Sequence, residues 1–333
     1  MNFSDDLYRA AGAKIVPTAA EVYTCEMVVK VKELQPSEFP LLKEGQILFC
    51  YLHLAPDPEQ TEQLIKRKVV AIAYDTVTDA QGRLPLLVPM SEIAGRMSIQ
   101  VGANCLQLNN GGRGVLLGGV PGVPPGKVVV IGGGVVGTEA ARMAIGLGAD
   151  VIILDRDLNR LRTLDALFGP RLKTLYSMPS AIEEAISRAD IVVGAVLIPG
   201  KTAPKLITKE MIRKMRHGSV IVDVAIDQGG CAETSRPTTH TDPTYTVDGV
   251  SHYCVTNMPG ACARTSTQAL TNATGEYALM IANKGWKQAL LDHPGLRDGL
   301  NVCAGHVTNV SVAHDLGYPY VPAESLLECV REL

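Results

Sequence analysis

Apolar residues recur along this chain with two alternating periods, and each switch between them marks a change from strand to helix. Short runs rich in β-branched residues at 27–31, 47–51 and 69–73 predict strands. Helical patterns at 6–13 and 58–67 separate them. Parallel pairing follows, because a strand reached through a helix re-enters its sheet in the same direction. Pro85 and Pro89 interrupt the chain before a helical segment at 91–106, and a Gly/Pro-rich connection spans 109–126. Further strands are expected at 191–196, 220–224 and 253–256, with helices at 181–188 and 208–216. A long helix is expected at 264–285, with Gly275 weakening its middle, and short helices fill the tail. The fold class is therefore α/β in two lobes, a doubly wound, mostly parallel Rossmann sheet inserted in a smaller α/β domain. The regular structure before residue 85 is too small to cover a sheet, so the tail is expected to return to it. That gives a discontinuous domain of residues 1–85 and 264–333 and an inserted domain of 86–263. The helices at 91–106 and 264–285 are its expected crossings.

The most informative switch of period lies at 127–157. The run from Val128 to Ile131 ends in Gly132-x-Gly134-x-x-Gly137, and Ala140, Met143, Ala144 and Leu147 then follow at helical spacing. A second apolar strand, 151–154, ends in Asp155. Gly132 permits a tight turn, Gly134 lets backbone approach a pyrophosphate, and Gly137 lets the helix lie close on the sheet. The phosphates belong at the positive end of that helix. Asp155, 23 positions after Gly132, is placed to accept hydrogen bonds from ribose hydroxyls. A carboxylate there repels a 2′-phosphate, which favours NAD; Arg156 beside it keeps NADP open.

Length and charge narrow the class further. The chain of 333 residues is long for one domain, and 46% hydrophobic content supplies sizeable cores. A net charge of −3 gives no reason to expect nucleic acid or an anionic membrane as partner. The polar, acidic start reads as neither signal nor transit peptide, and the best apolar run, 191–198, suits a buried strand rather than a membrane span. Cysteines at 25, 50, 105, 231, 254, 262, 303 and 329 form no C-x-x-C pair, which points to reduced thiols in a cytoplasmic protein. No histidine spacing calls for a metal.

Several segments carry a closer resemblance. KVKE (30–33), ILFCYLHLAP (47–56), LPLLVPMSEIAGRMS (84–98) and GGRGVLLGGVPGVPPGKVVVIGGG (111–134) resemble the alanine dehydrogenase/pyridine nucleotide transhydrogenase family. So do GAVLIPGKTAPKLIT (194–208), VIVDVAIDQGGCAETSRPTTH (220–240) and NMPGACARTSTQALTNAT (257–274). The IDQGG and RTST-x-ALTNAT stretches resemble the dehydrogenase branch more than the transhydrogenase subunits. The resemblance implies NAD-dependent, reversible oxidative deamination of L-alanine to pyruvate and ammonium by a homo-oligomer, often a hexamer. The family pattern usually opens with a further strand–helix stretch whose arginine grips the substrate carboxylate, and Met1 stands after it. Losing such a contact costs about 2–5 kcal/mol where its partners stay buried, so an NAD-holding protein of weak activity is the alternative.

The reaction needs a group that relays protons near neutrality, a cation for the carboxylate or carbonyl oxygen, and controlled access of water. The resemblance makes His53 the relay, since an imidazole titrates at about 6.5 and this one ends the strand 47–52, at the ligand-binding edge of a parallel sheet. A core histidine is the bland alternative. Asp227 matches a catalytic aspartate expected near the nicotinamide, although it also suits a turn before two glycines. Lys32 matches the substrate-binding lysine. Lys30 is expected on the same strand face, because side chains alternate with period two. For the cofactor the resemblance adds Ser91, Val135, Val136, Arg160, Ser177, Val196 and Leu197. It also adds the strand ends Val224, Ala225, Ile226, Val255, Thr256, Asn257 and Met258, together with Arg236. Ser91 doubles as an N-cap for the helix that follows.

Overall fold

Alternate positions along four adjacent strands bury into different cores. Val128, Val130, Val151, Ile153, Ile191, Val193, Val220 and Val222 point to one side. Val129, Ile131, Leu154, Val192 and Ile221 point to the other. A strand buried on both faces is what a period of two gives when helices cover both sides, and it is why these runs are continuously apolar. One face receives Met97 and Ile99 from helix Val88–Cys105 and Ala140, Ala141 and Ala144 from helix Val135–Gly146. The opposite face receives Ile182 and Ile186 from helix Pro179–Ser187 and Met211 and Ile212 from helix Lys209–Arg213.

The computed structural model describes residues 3–196 and 202–329. They form two units, residues 3–89 with 263–329 and residues 90–196 with 202–262. The first contains β1 (Met27–Val29), β2 (Ile47–Cys50), β3 (Val70–Ala73), β11 (Leu300–Cys303) and β12 (His306–Val307), hydrogen-bonded in the order β1-β2-β3-β11-β12. The tail thus contributes two strands as well as helices. β1, β2 and β3 run parallel, while β11 is antiparallel to both β3 and β12. The second unit holds β4 (Lys127–Ile131), β5 (Asp150–Asp155), β6 (Leu172–Tyr176), β7 (Ile191–Gly194), β8 (Val220–Asp223), β9 (Thr244–Val247) and β10 (Val250–Tyr253). Their order is β6-β5-β4-β7-β8-β10-β9, and all pairings but β9–β10 are parallel.

Three expectations need correction. The strand expected at 253–256 lies at Val250–Tyr253, because Asp248 and Gly249, with φ of 48° and 78°, make a two-residue hairpin that fixes β9 against β10. β1 ends at Val29, so Lys30 and Lys32 stand beyond the strand and its alternation does not govern them. Helix Val88–Cys105 starts three residues before Ser91, with Pro89 tolerated in its first turn, so Ser91 is helical and not a cap. Helix Ala263–Lys284 runs unbroken through Gly275.

Glycines set how closely the helices approach. A Cβ on Gly95 would lie 2.3 Å from the carbonyl oxygen of Val136, which no rotamer can relieve. A Cβ on Gly146, which ends helix Val135–Gly146, would meet nothing within 4 Å. The same substitution should therefore act with opposite sign at the two sites. Gly95→Ala is expected to destabilise by about 1–3 kcal/mol through overpacking. Gly146→Ala is expected to stabilise by about 0.5 kcal/mol through the unfolded chain. Thermal and urea unfolding of both variants checks this.

Candidate active site

In the second unit the glycine turn is built to receive an anion. Gly132 has φ of 102°, and a Cβ there would sit 2.7 Å from the oxygen of Ala195. A Cβ on Gly137 would fall 1.9 Å from the oxygen of Gly132, so this position must be glycine for the helix to start where it does. Gly134 is the N-cap of helix Val135–Gly146 and offers no capping side chain, and space around it is open. The first-turn amides therefore face outward with the positive end of a twelve-residue helix behind them. Those features fit a dinucleotide pyrophosphate.

Asp155 ends β5 as expected and does two things. Its Oδ2 accepts the N–H of Gly133 at 2.6 Å, and its Oδ1 accepts the N–H of Asp157 at 2.8 Å. Arg160 closes the turn from the other side, donating from Nε to the oxygen of Gly133 at 2.5 Å and from Nη2 to Thr138 Oγ1 at 2.5 Å. Gly133, the unassigned residue of the glycine motif, is crowded like Gly132 and unlike Gly134. A Cβ there would meet Leu164 Cδ1 at 2.9 Å and Asp155 Oδ2 at 3.0 Å.

The remaining expected cofactor residues divide by burial. Ser177 follows β6, is buried, and donates its N–H to Asp155 O at 2.9 Å. Val135 is partly exposed, whereas Val136 packs into the core. Ala225 and Ile226 are buried in the 3-10 turn Val224–Gln228, and Val255 and Met258 are also buried. Arg236 lays its guanidinium over the Tyr245 ring, 4.0 Å from the centroid. Thr256 donates its N–H to Thr238 O at 3.2 Å. Val196 packs against the core, and Leu197 lies outside the described residues.

Asp227 and Asn257 are brought together: Asp227 Oδ1 accepts the N–H of Asn257 at 3.2 Å. Asn257 has φ of 54°, in the left-handed region, and His240 Nε2 bonds to its carbonyl oxygen at 3.2 Å.

In the first unit His53 follows β2 with φ of 46°, a backbone state that residues other than glycine rarely adopt. Its ring lies parallel to Tyr51 with centroids 5.9 Å apart, and Nδ1 is 3.9 Å from Asp75 Oδ2. Both side chains of the pair are mostly buried, 17% and 13% exposed. Tyr51 is locked by donation from its hydroxyl to Leu86 O at 2.5 Å. Burial, then the Asp75 charge, push the Tyr51 phenol far above its usual range, so it remains a neutral donor. Asp75 is itself fixed, accepting the N–H of Leu52 at 3.1 Å. Asp75 was not singled out from sequence. The signal was its place just past β3, beside β2, at the same strand edge as His53.

The two lysines differ. Lys30 Nζ bonds to Glu38 Oε2 at 2.5 Å, and Glu38 also accepts from Tyr23 Oη at 3.1 Å and from the N–H of Gln35 at 2.7 Å. Burial pushes Glu38 up, but those donors and the Lys30 charge outweigh it and hold its carboxyl below the usual range. Lys32 Nζ is 3.2 Å from Glu33 Oε2, the carboxylate of its sequence neighbour.

Comparison with known proteins identifies the family. The model for the alanine dehydrogenase/PNT N-terminal domain matches residues 1–94, and that for the C-terminal domain matches residues 98–310. The chain belongs to the alanine dehydrogenase/PNT family. An alanine dehydrogenase from Methanococcus maripaludis is 59% identical over 97% of this chain and 87% of the relative. One from Bacillus subtilis is 56% identical over 98% of this chain and 86% of the relative. A solved L-alanine dehydrogenase shares 54% identity and superposes with a TM-score of 0.87, covering 95% of this chain and 87% of that one. A transhydrogenase structure from Sinorhizobium meliloti, at 24% identity and a TM-score of 0.75, shares the fold. Nothing in these likenesses favours the weakly active alternative. Among the described residues no helix is long and apolar enough to cross a membrane.

The two lysines can be separated by experiment. Lys30→Met should leave KM for pyruvate within about 3-fold of wild type but flatten the acid limb of stability. Glu38 has a depressed folded pKa, so its contribution is present above the unfolded value of about 4.3 and is lost as pH falls through the folded one. Lys32→Met should raise KM by about 10-fold or more and leave that limb unchanged. Melting curves from pH 3 to 7 beside steady-state kinetics distinguish them.

Proposed function

We propose that this chain is an alanine dehydrogenase, which interconverts L-alanine, NAD⁺ and water with pyruvate, ammonium, NADH and a proton. The observation that carries this reading is 54–59% identity, over nearly the whole chain, to proteins of that name. Bound NAD supplies the two-electron acceptor for the substrate Cα–H. Everything else falls to the chain's own residues. The glycine turn and helix Val135–Gly146 hold the phosphates, and Asp155 and Arg160 receive the adenosine ribose. The Asp155 carboxylate opposes a 2′-phosphate and so selects NAD over NADP.

His53 gives and takes the protons that hydration of the imine and collapse of the carbinolamine require. What supports this role is the placement of the imidazole ring, stacked on Tyr51 and facing Asp75. Asp75 stabilises the imidazolium when it forms. Lys32 pairs with the substrate carboxylate and polarises the keto oxygen as a point charge. Asp227, joined to the Asn257 backbone, anchors the reacting end of the cofactor pocket.

Two further features belong to the same reading. The enzyme works in the cytoplasm, in keeping with free thiols at Cys25, Cys50, Cys105, Cys231, Cys254, Cys262 and Cys303. It assembles as a homo-oligomer, for which the exposed Leu279 on helix Ala263–Lys284 offers apolar surface. His53→Ala should lower turnover of alanine on the order of 10²–10⁴-fold and leave the NAD dissociation constant within about 3-fold. Stopped-flow reduction of NAD and equilibrium dialysis provide the two numbers. Retained turnover would remove His53 from the mechanism.

A further inference from the structure

The loop that carries Asp227 is folded around a carboxylate with no exposed surface. β8 ends at Asp223, which is 0% exposed. Its Oδ1 accepts the N–H of Ala225 at 3.1 Å. Its Oδ2 accepts the N–H groups of Cys231 at 2.8 Å and Ala232 at 3.3 Å, and the hydroxyl of Ser235 at 2.5 Å. Chain that leaves the strand at residue 224 is thus bonded back to the strand's own last side chain at 231 and 232. Asp227 sits midway, four residues after Asp223 and four before Cys231.

The opposite polarity of the loop is also held. Gly229 and Gly230 have φ of 89° and 77°, and their carbonyls both accept from Lys205 Nζ, at 2.5 and 2.9 Å. A Cβ on Gly230 would lie 2.8 Å from Asp223 Oδ2 and 2.7 Å from Ser235 Cβ, so the backbone passes directly over the carboxylate. Asp223 takes four protein donors, one on Oδ1 and three on Oδ2. With no exposed surface, it presents nothing to a ligand. Its buried charge is balanced by donors drawn from both ends of one loop.

We propose that Asp223 and Lys205 are positioning residues for Asp227, a buried anion gathering the loop's amides and a cation gathering its carbonyls. This rests on the proposed role of Asp227. The clamp fixes Asp227 at a closed turn without touching substrate, as enzymes hold reacting groups by surrounding hydrogen bonds. Misplacement by about 1 Å costs on the order of 100-fold in rate. Asparagine at 223 keeps the shape of the side chain but offers a donor where one set of N–H groups points. Methionine at 205 keeps the length and removes the charge.

The test uses the full chain with Asp223→Asn, Lys205→Met, Lys205→Arg and Asp227→Asn. The readouts are kcat and KM for alanine, the deuterium isotope effect on kcat with 2-deuterated alanine, and amide hydrogen exchange across 224–232. ADP-ribose affinity checks the glycine turn separately. The clamp predicts a fall in kcat of about 100-fold for Asp223→Asn and about 10-fold for Lys205→Met, with a larger isotope effect and faster exchange at Ala225 and Cys231. Lys205→Arg should restore most of the loss, and ADP-ribose affinity should stay within about 3-fold. Reduced activity with wild-type KM, isotope effect and loop exchange would mean only fewer intact molecules and would overturn the clamp. If Asp223→Asn does not fold, Lys205→Met and its rescue by arginine decide by the same measures. An inactive Asp227→Asn beside normal Lys205→Met sinks the clamp alone, whereas a fully active Asp227→Asn sinks the role of Asp227 and the clamp with it.

Discussion

The second unit is organised by one steric requirement: backbone must touch backbone where β4 meets the helix that follows. The oxygen of Gly132 occupies the volume a side chain on residue 137 would need, and Ala195 closes on Gly132 from the neighbouring strand. On the far side Gly95 admits the carbonyl of Val136. With three side chains removed, helix Val135–Gly146 sits directly on the sheet and its first-turn amides emerge at the strand edge. Packing density and anion affinity are here the same geometric fact.

Carboxylates at the ends of parallel strands recur as the means of ordering the loops beyond them. Asp155, the last residue of β5, accepts the N–H groups of Gly133 and Asp157; Asp223, the last of β8, accepts those of Ala225 and Cys231; and Asp75 beyond β3 accepts one from Leu52. They differ in how much capacity remains. Asp223 takes four protein donors and is fully buried, so its work is internal. Asp155 has one protein donor on each oxygen and stays partly exposed, leaving the open lone pairs that its proposed ribose contact requires. The same residue type at the same kind of place becomes a brace or a ligand contact according to the count of donors around it.

The sequence made the parallel core legible because its signals are local. Continuous β-branched runs, spaced glycines and a helical apolar stripe all act within a few residues. Less legible were elements whose cause lies far along the chain. β11 carries Asn301 in a fully buried position, satisfied by bonds to Thr76 Oγ1 and Gly299 O, so its pattern does not look like a core strand. β6 is an edge strand with mostly exposed residues. The β9–β10 hairpin did announce itself through Asp248-Gly249, and weighing that dipeptide would have placed β10 three residues earlier. Among site residues, the glycines and Asp155 follow from spacing, and His53, Lys32 and Asp227 from resemblance. Asp75, Lys205 and Asp223 needed coordinates, because a charge at a strand end carries no label of whether it is buried or what it holds.

The left-handed backbone at His53 has a consequence for how this protein can change. That conformation costs an ordinary residue about 1–3 kcal/mol and suits glycine. Glycine there would relax the chain and make the fold safer while leaving it without an imidazole. With the relay role proposed for His53, selection for robustness and selection for turnover pull this one position in opposite directions. A chain that keeps the imidazole on that proposal gathers extra stability at other positions and carries the tension at residue 53 with it.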